Sequence, residues 1–458
     1  MPPTIWIDVE DLFVHAARHA RVSGIERVAF ELCKALREGE AAERVRFLRQ
    51  HPAHGTFHEV PWAQVLALAG APGEQASAPA AIVSAAAAPA QGALAGRRTL
   101  RRRVAMALPP AVREPLAGAV RAQLAALRGF AAAGRALFRA ARADAPTMPG
   151  LPAQPFDAQA RPDDTLLVLS AGWQFPGHAE RIGALLRRHG MKLGICIYDI
   201  IPLLRPEWCG RGMAEDFGRW FTAITPLCSL VMSCSQATLD DMAPLLPAAG
   251  VRTARIALGS LFTMPPAPER PFAHLPAPGS YVLFVSTLDV RKNHILLFRL
   301  WRRLLAERPR AEVPRLVFAG RIGWAVADLI QQLDNANWLD GHIVLVKSPS
   351  DAELAALYRG CRFTIYPSLY EGWGLPVVES LDFGKPVLAS NATSLPEAGG
   401  TLARYFDPDN LNDALAALCA VLDDPAGLAA WEARVRAEFR PTPWSQTAAE
   451  LLALVDAG

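Results

Sequence analysis

Two carboxylates, Glu371 and Glu379, stand with seven residues between them in the segment Pro367-Ser368-Leu369-Tyr370-Glu371-Gly372-Trp373-Gly374-Leu375-Pro376-Val377-Val378-Glu379. The apolar run Phe363-Thr364-Ile365-Tyr366 reads as a strand that stops at Pro367, and Pro376 opens a helix, where a missing backbone N–H costs nothing. Between them Gly372 and Gly374 let the chain approach a ligand closely. The free amides of a helix start attract a phosphate or diphosphate. Glu371 at the loop entrance and Glu379 one turn into the helix can face one crevice. Amides for a diphosphate and carboxylates for hydroxyls make this a candidate nucleotide-sugar site. Taken singly, two glutamates at this spacing or one Gly-x-Gly after a strand would carry little weight; the full string carries much more.

The string resembles the signature of the retaining glycosyltransferases of family 4, which is Glu, seven residues, Glu, with Gly-Phe/Trp-Gly-Leu-Pro between. The resemblance implies that Glu379 binds the ribose hydroxyls and Glu371 the donor sugar, with Gly372, Trp373, Gly374, Leu375 and Pro376 lining the donor. Upstream, the strand Tyr281–Val285 leads into Asp289-Val290-Arg291-Lys292-Asn293, with Asn293 placed to cap a helix bearing Ile295, Leu296, Leu300, Trp301 and Leu304. Lys292 matches the family's phosphate-binding lysine, and Arg291 is a looser candidate. Arg321, after Ala319-Gly320, matches a second cation. A guanidinium can hold two phosphate oxygens and offset charge on a departing diphosphate. Arg321 and Lys292 are therefore the expected pair that stabilises the leaving nucleoside diphosphate.

In the first half, Ser23-Gly24-Ile25 opens a helix whose apolar face carries Ile25, Val28, Ala29, Leu32, Cys33 and Leu36. Gly24 fits the family's diphosphate loop, although Ser23 stands where relatives commonly have a second glycine. Glu26 and Arg27 read as structural, and His15 and His19 as ordinary polar residues near the cleft. Ile195 to Pro202 ends a strand with Tyr198 where many relatives have histidine. A tyrosine is a poor base near neutral pH, its ordinary pKa being about 10, so Asp199 is left as the candidate acceptor-binding carboxylate. Ser235 resembles the family's strand-end serine. Asp407-Pro408-Asp409 spells a metal motif of another glycosyltransferase fold, but here reads as a turn after a strand, so no metal or other cofactor is expected.

These loops need two parallel α/β domains to position them. Strand-like runs fall near 4–9, 45–49, 165–170, 192–198 and 229–233, and again near 280–287, 315–319, 342–346, 363–366, 386–389 and 404–407, alternating with helix-length segments. The prolines between 258 and 278 mark the expected boundary. The expected domains are 1–262, carrying the acceptor side, 278–435, carrying the nucleotide-sugar site, and a final helix in 436–458. Facing across a cleft, two such domains form the GT-B architecture, with ligands at strand C-terminal ends. By resemblance, the final helix packs back on the first domain.

With 458 residues, 51% apolar and 20% charged, the composition is that of a multidomain globular chain, and a net charge of +3 gives no general affinity for polyanions. The seven cysteines contain no C-x-x-C pair and suit reduced thiols in a cytoplasmic protein. No cleavable signal or membrane-spanning run is expected. Residues 67–160 interrupt the first block. Between 97 and 142 eleven arginines face one acid, Glu114, and Arg121, Arg128 and Arg135 flank an apolar stripe. Such a segment suits an anionic membrane surface on the inner face of the cell membrane; an arginine-rich surface helix is the equal alternative. Nucleic-acid binding is disfavoured, since no aromatic platform accompanies the arginines.

The resemblance implies a retaining transferase that moves a sugar from a nucleotide-diphosphate donor, GDP-mannose first, to a glycan or lipid-linked acceptor in polysaccharide or glycolipid assembly. Two alternatives stay open. A sugar-nucleotide epimerase of the same fold should lack the complete glutamate motif, and a catalytically silent scaffold should have lost Glu371, Lys292 or Arg321.

Overall fold

The computed structural model describes residues 2–18, 24–50, 56–68, 81–83, 156–259 and 272–457. His19, Ser23, residues 97–142 with their proposed membrane surface, and the prolines from 265 to 271 lie outside the described residues. Among the described residues there are two seven-stranded sheets, both within one compact unit.

The first sheet contains β1 (Ile5–Asp8), β2 (Val45–Gln50), β3 (Phe57–Val60), β5 (Thr165–Val168), β6 (Lys192–Cys196), β7 (Leu230–Ser233) and β8 (Arg252–Arg255). Its order is β3-β2-β1-β5-β6-β7-β8, parallel except for the β2–β3 pair. The second sheet contains β9 (Tyr281–Val285), β10 (Arg315–Gly320), β11 (Ile343–Lys347), β12 (Thr364–Tyr366), β13 (Val387–Ser390) and β14 (Ala403–Phe406), joined at one edge by β4 (Ala81–Val83). Its order is β14-β13-β12-β9-β10-β11-β4. The central strands are buried on both faces, as parallel sheets covered by helices require. This explains why they read as continuous apolar runs rather than alternating ones. β4, from within 67–160, pairs antiparallel with β11 of the second sheet through its backbone, Val83 opposite Leu345.

Each sheet reverses its strand order once, between β1 and β5 in the first and between β9 and β12 in the second. At such a point the loops leaving two neighbouring strands diverge and open a crevice. The loops after β9 and β12 carry Arg291 and Lys292 on one side and Glu371 on the other. The final helix, Trp444–Asp456, lies against the first sheet's elements. Glu450 Oε2 accepts from the Ala257 amide at 3.0 Å, and Asp456 pairs with Arg44 at 2.6 Å. No single helix among the described residues is long and apolar enough to cross a membrane. One pair bent by 89°, Leu411–Leu422 with Pro425–Glu438, passes by length and composition, and both its helices contribute to the second sheet's core.

Candidate functional site

The short turn Val290–Lys292 after β9 is fixed by Asp289, whose side chain accepts from the Lys292 amide at 3.2 Å. That turn aims two consecutive cations at Glu371. Arg291 Nη1 donates to Oε2 at 2.7 Å and Lys292 Nζ to Oε1 at 2.5 Å. The Arg291 carbonyl also accepts from the Leu369 amide at 2.8 Å, so the two loops are joined through backbone as well. Burial would raise the Glu371 carboxyl, but the charges and hydrogen bonds of Arg291 and Lys292 outweigh it and hold the group at about 2. Lys292 is pushed below its usual value by burial and by Arg291 beside it. Burial opposes the charge of Arg291, yet the carboxylates of Glu371, Asp289 and Asp199 keep it firmly protonated.

Arg321 is exposed after β10, and among the described residues no hydrogen bond or ion pair joins it to Glu371. Arg291 is the cation that shares Glu371 with Lys292, because the Asp289-capped turn puts the two side by side at the strand reversal. Asn293 departs from expectation. It occupies the start of the helix His294–Glu307 in a left-handed conformation (φ 58°), but its side chain makes no cap and donates instead to the Pro408 carbonyl at 3.1 Å. Pro408 itself lies in a hydrogen-bonded turn, with the Asp409 amide donating to Asp407 Oδ1 at 2.9 Å.

Gly374 starts the helix Leu375–Asp382 with φ 112°, and a Cβ there would lie 2.7 Å from Leu395 Cδ2. Pro376 sits in the first turn, leaving the Gly374 and Leu375 amides without partners inside the helix. Glu379 accepts from the Tyr358 hydroxyl at 2.8 Å, and burial raises its carboxyl. The charge of Arg27, on the helix Ile25–Glu38, acts against that rise. Gly24 begins the same helix with φ 60°.

Three other expected ligand contacts have structural duties. A Cβ on Gly372 would lie 2.2 Å from the Tyr198 carbonyl, so this glycine permits close approach of the two sheets' loops. Trp373 packs with Val28, Cys234 and Leu258, and its buried indole N–H has no partner among the described residues. Ser235 is fully buried and caps the helix Gln236–Met242 by accepting from the Thr238 amide at 3.2 Å. The Tyr198 hydroxyl donates to the Leu169 carbonyl at 2.8 Å and is raised well above its usual range by burial, which removes it as a base. Asp199 is half-buried. Its Oδ1 accepts from the Ile201 amide at 3.1 Å, and burial raises its carboxyl, with Arg291 opposing.

Sequence reasoning missed the supports of Glu371. The Glu371 amide donates to Thr393 Oγ1 at 3.0 Å, and Ser394 Oγ donates to the Glu371 carbonyl at 2.8 Å. It also missed Tyr358. None of these carries a charge or a motif, and each lies on another strand's loop or helix, so nothing in their local sequence marks them.

The strand order and the switch-point crevice are those of the GT-B fold, and residues 269–437 match the family described as Glycosyl transferases group 1. The chain is 34% identical over 164 residues to the O-antigen chain mannosyltransferase B of Escherichia coli, covering 36% of this chain and 42% of that protein. It is 27% identical over 267 residues to the serotype-specific mannosyltransferase WbdA of Escherichia coli, covering 55% of this chain and 32% of that protein. The chain thus spans less than half the length of either relative. Its fold is similar to that of Anabaena Alr3699/HepE, solved in complex with UDP and glucose, with a TM-score of 0.58 at 14% identity over the full length of both chains.

Proposed function

We infer that the protein transfers a sugar from a nucleotide-diphosphate donor to a glycan or lipid-linked acceptor. The observation that carries this reading is the Glu371 carboxylate held between Arg291 and Lys292 at the mouth of the switch point, with Glu379 at the neighbouring helix start. A diphosphate entering there would draw on the two cations and the Gly374 and Leu375 amides, freeing Glu371 to accept from sugar hydroxyls. Glu379, already holding Tyr358, would take the ribose. In a transfer with retention, the bond from sugar to diphosphate breaks as the acceptor oxygen attaches to the same face. The acceptor proton passes to the leaving phosphate oxygen, so no separate base is required. Arg291 and Lys292 offset the charge that develops on the diphosphate. This chemistry runs without a resident metal in our reading. Mannose from GDP-mannose is the first donor to test, because two similar relatives are named mannosyltransferases. The presence of Glu371, Lys292 and Arg321 speaks against a silent scaffold.

A thermal-shift screen with GDP, UDP, ADP and their sugar conjugates tests the reading. One nucleotide should raise the melting temperature with concentration, and Glu379→Ala should abolish the rise. A chain indifferent to every nucleotide would sink the proposal.

A further inference from the structure

Of the non-glycine residues held at positive φ among the described residues, Thr393 alone is β-branched, with φ 49°. A left-handed backbone crowds Cβ, and a branch on that carbon makes the conformation costly. Glycine or asparagine would take it more easily. Strain of this kind persists only where the surrounding contacts over-determine it. Thr393 lies in the loop 391–394, between β13 and the helix Leu395–Gly399.

One oxygen offsets the strain. Thr393 Oγ1 accepts from the Glu371 amide at 3.0 Å and donates to the Glu371 carbonyl at 3.1 Å. A hydroxyl one bond from Cβ can do both at once, whereas glycine has no such group and an asparagine amide carries donor and acceptor on different atoms farther out. Ser394 Oγ stands 2.8 Å from the Glu371 carbonyl and 2.9 Å from that of Trp373. Among the described residues, Thr393 is the only side chain that reaches the Glu371 amide. The loops it joins leave β12 and β13, which pair in parallel, so the clamp is anchored on the sheet. Ser390 fastens the same loops without touching Glu371, its Oγ donating to the Ser368 carbonyl at 2.6 Å. Holding the loops together therefore does not call for the strained residue.

We propose that Thr393 is the positioning residue for Glu371 and that, through Glu371, it governs recognition of the donor's sugar separately from its diphosphate. The inference rests on the donor-site reading above. The Glu371 carboxylate is gripped at its tip by Arg291 and Lys292. A diphosphate that draws on both cations loosens this grip just when the sugar needs the carboxylate. What then keeps Glu371 aimed is its own peptide backbone, fastened on both sides by Thr393. A group fixed in advance need not be ordered when the sugar arrives.

The test compares, by calorimetry, the binding of GDP with GDP-mannose, UDP with UDP-glucose and ADP with ADP-glucose. Thr393→Val keeps the branch and loses the hydroxyl, Thr393→Gly loses both, and Thr393→Ser keeps the hydroxyl. For the pair that the wild type binds, the valine and glycine variants should lose about tenfold in affinity for the sugar conjugate, the worth of one hydrogen bond to a charged group. Both should bind the bare nucleotide as the wild type does. Thr393→Ser and the control Ser390→Ala should keep the wild-type ratio of the two affinities. Equal weakening of nucleotide and conjugate would overturn the proposal, as would undiminished conjugate binding, a serine variant as weak as the valine one, or the same change of ratio in Ser390→Ala. Should the valine variant fail to fold, the glycine variant, free of the strain, carries the same comparison. A wild type that binds no nucleotide would end the donor reading and this proposal together. A bound nucleotide with an unmoved ratio would end this proposal alone.

Discussion

Glu371 is where stability and function meet in a single side chain. Its carboxyl is held at about 2 by two buried cations, whereas an unfolded glutamate titrates near ~4.3. A depressed carboxyl contributes stability that is complete above the unfolded value and disappears as pH falls through the folded one. The shift corresponds to about 3 kcal/mol. Glu371→Gln removes the carboxylate that bridges Arg291 and Lys292 and leaves the two cations side by side with only the more distant Asp289 and Asp199 to offset them, and breaking such a pair is costly. We expect a loss of about 3 kcal/mol at pH 7 in urea denaturation. The gap between variant and wild type should close between about pH 4 and 2. Saturating nucleoside diphosphate should recover part of the loss, because its charge replaces the missing carboxylate. A variant as stable as the wild type at pH 7 would show that the bridge does not hold the site together.

At the scale of elements, the strands were legible because parallel, doubly covered strands are continuous apolar runs ending at glycine, proline or polar loops. β12 stops before Pro367, and β10 ends on Gly320, each within a residue of its expected place. Side-chain direction was not legible. Arg291 and Arg321 both follow a strand in the same sheet, and only the turn capped by Asp289 decides that Arg291 reaches Glu371. β4 was equally hidden, since three residues in an Ala-rich stretch carry no pattern that names their partner sheet. Gly374, by contrast, was marked correctly as a position where the backbone matters. With φ 112° and only 2.7 Å between a Cβ and Leu395, Gly374→Ala must strain the first turn of its helix or displace it. The expected cost is about 1–3 kcal/mol, read as a lower melting temperature. Nucleotide affinity should fall with it, because the amides of that turn move. Unchanged affinity in a folded variant would separate the helix start from the diphosphate.

Across the whole molecule, the loops of the two sheets are joined by polar contacts that surround the candidate site. Glu397, from the helix Leu395–Gly399, accepts from the amides of Gln236 and Ala237, each at 2.8 Å. Tyr370 donates to Asp241, and Trp324 to the Trp208 carbonyl. Gly372 lies so close to Tyr198 that the loops are in backbone contact. This is a closed arrangement, and closure would exclude water from the proposed sugar transfer, with which donor hydrolysis competes. The Glu397 contact is the most readily removed without touching the donor cations, since its carboxylate meets free amides at a helix start, a pairing worth about 1 kcal/mol. Glu397→Ala should therefore favour the open form. Small-angle scattering should give a larger radius of gyration for the unliganded variant than for wild type, and nucleotide should reduce the difference. The ratio of donor hydrolysis to sugar transfer should rise. If both the scattering curve and that ratio match the wild type, closure is set by the aromatic and backbone contacts alone, and the Glu397 cap merely ends a helix.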